Sequence, residues 1–124
     1  MKPIETKRVL FLVAFPLACV SHIASADDAA KPPAIQFNRD IRPIISANCF
    51  ACHGPDTASR KADLRLDTRA GALAGKMIVP GNAGDSELIA RITSNDPDFM
   101  MPPPKSRKKL TPQHKRLLTR WVNS

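Results

Sequence analysis

The chain has 124 residues, a length that suits one small domain. Hydrophobic residues make up 43% of it, too many for a disordered chain and too few for a protein with several membrane spans. The formal net charge is +8, and 12 prolines among the residues favour short elements joined by loops. With 3 cysteines, a disulfide-rich scaffold is also excluded. These values exclude a multidomain enzyme and a multi-span membrane protein.

Residues 1–26 show the three parts of an export signal. A basic start is followed by an apolar run over 9–20, which is shorter than the roughly 20 residues a helix needs to cross a bilayer core. Ala24-Ser25-Ala26 then supplies the small residues that a signal peptidase requires. We therefore predict cleavage after Ala26, with an uncleaved membrane tether or lipidation at Cys19 as alternatives.

The chain that follows the predicted signal keeps two cysteines, Cys49 and Cys52. Residues 27–36 are predicted to be a flexible leader, and residues 37–124 a single domain. With so few aromatic residues, a domain of this size buries a modest core and commonly needs an additional stabilising element.

Apolar residues at helical spacing predict a first helix at about 40–49. Asn38 or Asp40 can cap its start, and Pro43 is tolerated only in its first turn. The following stretch, 54–83, is predicted to be mostly loop with one helical turn near 68–74.

Two further helices are predicted on either side of a proline-interrupted stretch at 95–110. The earlier one spans about 86–94 and has Asp85 or Ser86 as its cap. The later one begins at Thr111-Pro112, a capping hydroxyl followed by proline at the first helical position. The predicted buried residues are Leu88, Ile89 and Ile92 in the earlier helix, and Leu117, Leu118, Trp121 and Val122 in the later one.

The segment Cys49-Phe50-Ala51-Cys52-His53 matches the C-x-x-C-H pattern of covalent haem attachment. At this spacing two thiols reach the two vinyl groups of one haem, and the next residue brings an imidazole to the iron. Covalent attachment retains the cofactor in an exported protein and gives a small domain a large apolar core. The motif therefore predicts one covalently attached haem c.

Other uses of a C-x-x-C pair fit the sequence less well. A thioredoxin-like redox pair belongs to a βαβ setting, which the flanking residues do not show. A structural zinc site needs a second pair of ligands, and His114 is the only other histidine or cysteine after the predicted cleavage. A plain disulfide between Cys49 and Cys52 is the third alternative.

A methionine is expected as the sixth iron ligand, because methionine opposite histidine raises the reduction potential and suits electron transfer. Met101 is the first choice, since Pro102-Pro103-Pro104 fixes the backbone that follows it. Met100 is the main alternative, followed by Met77, His114 or an open site. Ordinary core filling is the other explanation for either methionine. His114 is expected to be exposed.

The order of these parts resembles the class I cytochrome c fold: a helix running into C-x-x-C-H, a loop region, a middle helix, Met-Pro and a final helix. More narrowly, the chain is similar to the planctomycete-type cytochrome c domains. The resembling stretches are FNRDIRPI at 37–44, CFACHGPD at 49–56, RKADLRLDTRAGAL at 60–73, IVPGNAGDSELIARIT at 78–93, MPPP at 101–104 and LTPQHKRLLTRWV at 110–122.

The resemblance implies a mainly α, class I cytochrome c-like fold, with three or four short helices and long loops around one covalent haem. It implies His53 as the proximal iron ligand and Met101 as the distal one. The first and last helices cross in this fold, so Phe37 and Trp121 are expected to lie close together.

A run of basic residues follows the expected methionine loop. Such charges beside a haem edge would steer an acidic redox protein into place, and the alternative is an ordinary solvated surface. Nucleic acid is not an expected partner of an exported protein. The run consists of Lys105, Arg107, Lys108 and Lys109, and the candidates to pair with haem propionates are Arg60, Lys61 and Arg65.

The expected function is one-electron transfer between protein partners in the periplasm, by a carrier that is not an enzyme. The alternative is a haem-bearing sensory or interaction module whose sixth site opens to bind a gas or signal. Peroxidase activity is a weaker expectation, because the sequence shows no distal acid–base pair.

Overall fold

The computed structural model describes residues 33–124, which form one unit without β-strands in that range. The predicted mainly helical class is therefore confirmed. The predicted signal over 1–26, the lipidation alternative at Cys19 and the leader residues 27–32 lie outside the described residues. Within residues 33–124, no helix is both long enough and apolar enough to span a membrane.

Short helices connected by long loops make up the described fold. A π-helical turn precedes the first α-helix. One 3₁₀ turn follows the third α-helix, and another lies in the loop before the last α-helix. The α-helices are α1 (Arg42–Asn48), α2 (Phe50–His53), α3 (Arg69–Leu73), α4 (Glu87–Thr93) and α5 (Pro112–Val122); the π turn is Phe37–Ile41, and the 3₁₀ turns are Ala74–Lys76 and Pro104–Ser106.

The predicted first helix is one run of three short segments rather than a single helix at 40–49. It begins at Phe37 with the π turn, continues through α1 and ends with α2. Pro43 lies in the first turn of α1, as predicted. The predicted caps are wrong, because no side chain caps either start; the Asp40 carboxylate instead accepts the Gln36 backbone N–H at 2.8 Å.

Ser86 occupies the N-cap position of α4, but its hydroxyl does not cap the helix. The hydroxyl donates to the Asn82 carbonyl at 2.7 Å and accepts the Val79 N–H at 2.9 Å. With 1% of its surface exposed, Ser86 is the buried polar residue of the core. Its oxygen satisfies the backbone of the preceding turn, which is why it is unavailable to the helix.

The predicted cap of α5 is confirmed, since the Thr111 hydroxyl accepts the His114 N–H at 3.1 Å. The helix buries Leu118 and Val122, while Leu117 and Trp121 are partly buried against the core.

One apolar core joins α1, α4 and α5. Phe37 and Trp121 are in contact, with ring centroids 5.5 Å apart, as the sequence predicts. Ile35, in the predicted leader, also packs against this core. The buried members are Ile41, Ile44, Ile45, Leu66, Ile78, Ala83, Leu88, Ile89, Ile92, Leu118 and Val122.

Candidate functional site

The described part of the chain surrounds a cavity of about 1320 Å³. This volume exceeds the roughly 300–1,000 Å³ that is usual for small-ligand pockets, so the cavity suits a large cofactor. Its wall includes Cys49, Cys52 and His53 from the motif, and Met101 from the proline-rich loop. The residues that the sequence predicts to bind haem therefore share one cavity.

Backbone hydrogen bonds fix the motif against the loop that follows it. The short helix α2 is closed by the His53 N–H donating to the Cys49 carbonyl at 2.8 Å. The carbonyls at its end then accept from the loop: Lys61 N–H donates to Cys52, and Leu66 N–H to His53, each at 2.8 Å. These carbonyls have no partner within the helix, so the loop satisfies them and orients the His53 backbone.

A close backbone approach follows the motif at Gly54. A Cβ added at this buried glycine would lie 2.3 Å from the Phe50 carbonyl oxygen. Arg60 holds the same turn, because its Nε donates to the Gly54 carbonyl at 3.1 Å and a terminal nitrogen donates to the Pro55 carbonyl at 2.9 Å. The Arg60 side chain is only 13% exposed, which is consistent with a structural role.

Cys49 and Cys52 are both free thiols. Cys49 is half-buried, and its burial raises the pKa of the thiol to about 11, whereas Cys52 is exposed. Among residues 33–124, no group of three or more His, Cys, Asp or Glu side chains is arranged to hold a metal ion.

One ring nitrogen of His53, Nδ1, is buried without a hydrogen bond to the protein in the described structure. Burial lowers the pKa of His53; the Lys61 backbone opposes this shift, and the charge of Arg91 adds to it. Neutral imidazole is the form that ligates metals, so the His53 side chain suits an iron ligand.

The neighbouring methionines differ in position. Met101 lines the cavity, and its backbone N–H donates to the Arg91 carbonyl of α4 at 3.1 Å. Met100 is not part of the cavity wall, and its N–H donates to the Asp96 carbonyl at 2.7 Å within the loop. Met77 does line the cavity. Their roles as iron ligands stay predictions, and position favours Met101 over Met100.

Comparison with known families agrees with the resemblance drawn from the sequence. Residues 49–105 match the planctomycete cytochrome c family. This segment runs from the first motif cysteine to the start of the basic run and contains the four predicted ligand and attachment residues. No curated protein and no solved structure matches the chain. A cytochrome c domain implies a haem cofactor, and the two thiols, the His53 imidazole and the large cavity fit one.

Basic side chains surround part of the cavity. Lys105 and Lys108 contribute to its wall, while Arg107 and Lys109 are exposed beside them. The basic run therefore lies at the cavity.

The three residues expected to pair with haem propionates also line the cavity, but two of them are already bonded to other protein groups. Arg60 holds the turn after the motif, and Arg65 pairs with Asp67, its Nε lying 3.1 Å from a carboxylate oxygen. Lys61 forms no ion pair with any described residue. Lys61 is therefore the candidate with a free charge.

Two residues, His114 and Arg91, differ from what the sequence predicts. His114 is half-buried rather than exposed, its Nδ1 is buried without a partner, and it does not line the cavity. Arg91 lines the cavity and contacts the methionine loop, yet sequence reasoning missed it. The spacing of Glu87 and Arg91, four residues apart on α4, signals only an ordinary helix-surface ion pair.

Proposed function

We propose that this protein is an exported, monohaem c-type cytochrome that carries single electrons between protein partners and is not itself an enzyme. The observation that carries the proposal is the convergence of Cys49, Cys52, His53 and Met101 on one cavity. When bound there, haem supplies an iron that alternates between the ferric and ferrous states. The arrangement agrees with a class I cytochrome c fold, as does the contact between Phe37 and Trp121.

Covalent attachment would use the two free thiols of the motif. Each thiol adds across one vinyl double bond: its sulfur forms a carbon–sulfur bond, and its hydrogen goes to the other vinyl carbon. The addition needs no oxidant. Attachment of this kind takes place outside the cytoplasm, so the periplasmic location also belongs to the proposal, together with cleavage after Ala26.

His53 is assigned as the proximal ligand and Met101 as the distal one. The loop around Met101 is held at a fixed place, because its N–H is bonded to α4 and three prolines follow it. A thioether held in this way raises the reduction potential and closes the sixth position, which favours a carrier over a gas sensor.

An acidic redox protein is the proposed partner. Lys105 and Lys108 lie at the cavity, and Arg107 and Lys109 extend the same charged surface. Positive charge at this place would increase the rate of encounter with an acidic partner and orient its approach. The electron would then be transferred through the exposed part of the cavity.

The proposal is tested by producing the full chain together with a c-type haem maturation system and then denaturing it. Haem that stays on the polypeptide supports covalent attachment, and the ferric wild type should show the weak Met–iron charge-transfer band. We expect Met101→Ala to lose the band completely and bind carbon monoxide readily when reduced, whereas Met100→Ala and Met77→Ala should keep the band.

Each result has a defined meaning for the proposal. Loss of the band in Met100→Ala or Met77→Ala, with Met101→Ala unchanged, would overturn the distal assignment. Covalent haem without the band in the wild type would favour the sensory module. The absence of covalent haem would overturn the carrier and the sensor alike.

A further inference from the structure

Arg91 connects α4 to the loop that carries Met101. Its Nε donates to a Glu87 carboxylate oxygen at 2.8 Å, and a terminal nitrogen donates to the Phe99 carbonyl at 3.2 Å. Its guanidinium also stacks on the Phe99 ring, with 4.4 Å between the guanidinium carbon and the ring centroid. The Arg91 carbonyl accepts the Met101 N–H at 3.1 Å. One residue therefore contacts the loop on both sides of Met100.

The helix that carries Arg91 provides a rigid base for these contacts. Leu88, Ile89 and Ile92 of α4 are buried in the core, with 2–8% of their surfaces exposed. Arg91 is half-buried at the cavity wall, which Leu88 and Ile92 also line. Two groups of Arg91, its side chain and its backbone carbonyl, thus link the Met101 loop to the helix that packs in the core.

We propose that Arg91 is a positioning residue that holds the Met101 loop against the cavity and thereby controls how readily an external ligand displaces the methionine. The inference rests on the proposed function, in which the Met101 sulfur is the distal ligand. An external ligand binds only when the loop is open, so its apparent affinity rises in proportion to the open fraction. Weaker contacts from Arg91 increase that fraction.

The geometry separates the contribution of the planar guanidinium from that of its charge. Arginine can donate to Glu87 and to the Phe99 carbonyl at once while stacking on the ring, because its donors lie in a rigid fork. A lysine at the same position keeps the charge but cannot reproduce all three contacts. Arg91→Lys therefore tests the contacts, and Arg91→Gln removes the contacts together with the charge.

The experiment uses the haem-loaded full chain at one pH and titrates the ferric protein with imidazole. Displacement of Met101 is followed by loss of the charge-transfer band, and the reduction potential is measured in parallel. We expect Arg91→Gln to bind imidazole about tenfold more tightly than the wild type, as the loss of a charged hydrogen bond implies. Arg91→Lys should also bind more tightly, by a smaller factor, with a reduction potential nearer the wild type.

Two further variants supply a control and a second test of the same contact. Arg42→Gln is the matched control, because Arg42 is exposed on α1, lies outside the cavity wall and forms no ion pair with any described residue. It should match the wild type. Phe99→Leu removes the stacked ring and keeps the arginine, and it should bind imidazole more tightly even if Arg91→Gln cannot be isolated.

The outcomes distinguish the inference from the function on which it rests. A wild type with the band, together with Arg91 and Phe99 variants of unchanged imidazole affinity, would overturn the inference alone. Full recovery by Arg91→Lys would assign the effect to charge and would overturn positioning by contacts. A wild type without the band would overturn the distal assignment of Met101, and the inference with it.

Discussion

At the scale of single residues, a few buried polar contacts hold the loops that surround the cavity. Ser86 is the clearest case, because its hydroxyl accepts the Val79 N–H and donates to the Asn82 carbonyl. The segment between these residues contains no regular element, so its polar groups depend on such side chains.

We expect Ser86→Ala to lower the free energy of unfolding by about 1–3 kcal/mol, since it removes the buried hydroxyl and leaves the part-buried Val79 N–H without its partner. Chemical denaturation of the haem-loaded protein measures the change. Ser46→Ala is the control: Ser46 is exposed, its hydroxyl donates to the Pro43 carbonyl, and its loss should have almost no effect. Equal stability of the two variants would contradict this account of Ser86.

Residue-level prediction from sequence succeeded where a local rule decides the outcome. Thr111 caps its helix because a hydroxyl before proline has few other uses, and Cys49, Cys52 and His53 meet because they are close in sequence. Arg91 escaped notice because its contact with Phe99 joins a helix to an irregular loop, where no periodicity applies. The sequence predicts Asp85 or Ser86 as a cap, and it does not show that the Ser86 hydroxyl is nearest to the Val79 and Asn82 backbone instead.

At the scale of elements, α2 and its neighbours form a small unit locked by backbone contacts. The loop over 61–66 donates to the end of α2, and Gly54 allows the chain to turn directly beside the Phe50 carbonyl. The orientation of His53 therefore depends on a tight turn as well as on the helix.

We expect Gly54→Ala to destabilise the haem-loaded protein by about 1–3 kcal/mol, because the added Cβ would lie 2.3 Å from a backbone oxygen that cannot rotate away. Thermal unfolding and the yield of covalent haem both report the effect. Gly84→Ala is the matched control, since the nearest atom to its Cβ would be the Asn82 side-chain oxygen, at the longer distance of 3.3 Å. A Gly54→Ala protein as stable as Gly84→Ala would show that the turn relaxes.

The turn before α1 has a pH dependence of defined sign. The side chain of Arg39 and the backbone N–H of Gln36 lower the pKa of Asp40 to about 2, from an ordinary value of 3.8. The ionised carboxylate therefore contributes stability that is present above pH 3.8 and is lost as the pH falls through 2. Asp40→Asn should lower the melting temperature at pH 6, and its difference from the wild type should shrink below pH 3.8 and disappear below pH 2. A difference that persists there would contradict the assignment.

Element-level prediction was limited by how the first helix is assembled. The apolar spacing indicated a helix, but the π turn and the break at Cys49 depend on packing against α5 and on the loop after the motif. The last two α-helices were predicted within one or two residues, because their polar starts and apolar faces are both local in sequence.

At the scale of the whole molecule, the core and the cavity share the same few elements. α4 faces the core with Ile89 and the cavity with Arg91, and Leu66 and Leu88 line the cavity while belonging to the core. A change in the core is therefore expected to reach the site. The size of the cavity was not predictable from the sequence, because it is set by how distant loops pack.

The charge distribution leads to a prediction for partner encounter. Reversing two charges at the cavity in Lys105→Glu/Lys108→Glu should slow electron transfer from an acidic redox protein by about tenfold at low ionic strength, and salt should reduce the difference. Stopped-flow measurement across ionic strengths checks this. Arg42→Glu/Arg69→Glu changes the net charge equally at exposed positions outside the cavity wall, so it should have a much smaller effect.

An equal loss of rate in both double variants would assign the effect to net charge alone. No loss of rate in either would show that the basic surface does not contribute to the encounter.

The contact between Phe37 and Trp121 also has a topological consequence. It brings the beginning and the end of the described unit together, and neither ring belongs to the cavity wall. A short peptide joining residues 33 and 124 would therefore close the chain into a ring with little loss of loop entropy. New ends opened in an exposed loop between the motif and Met101 would give a circular permutant with the same core, in which the order of synthesis of the motif and the methionine loop is reversed.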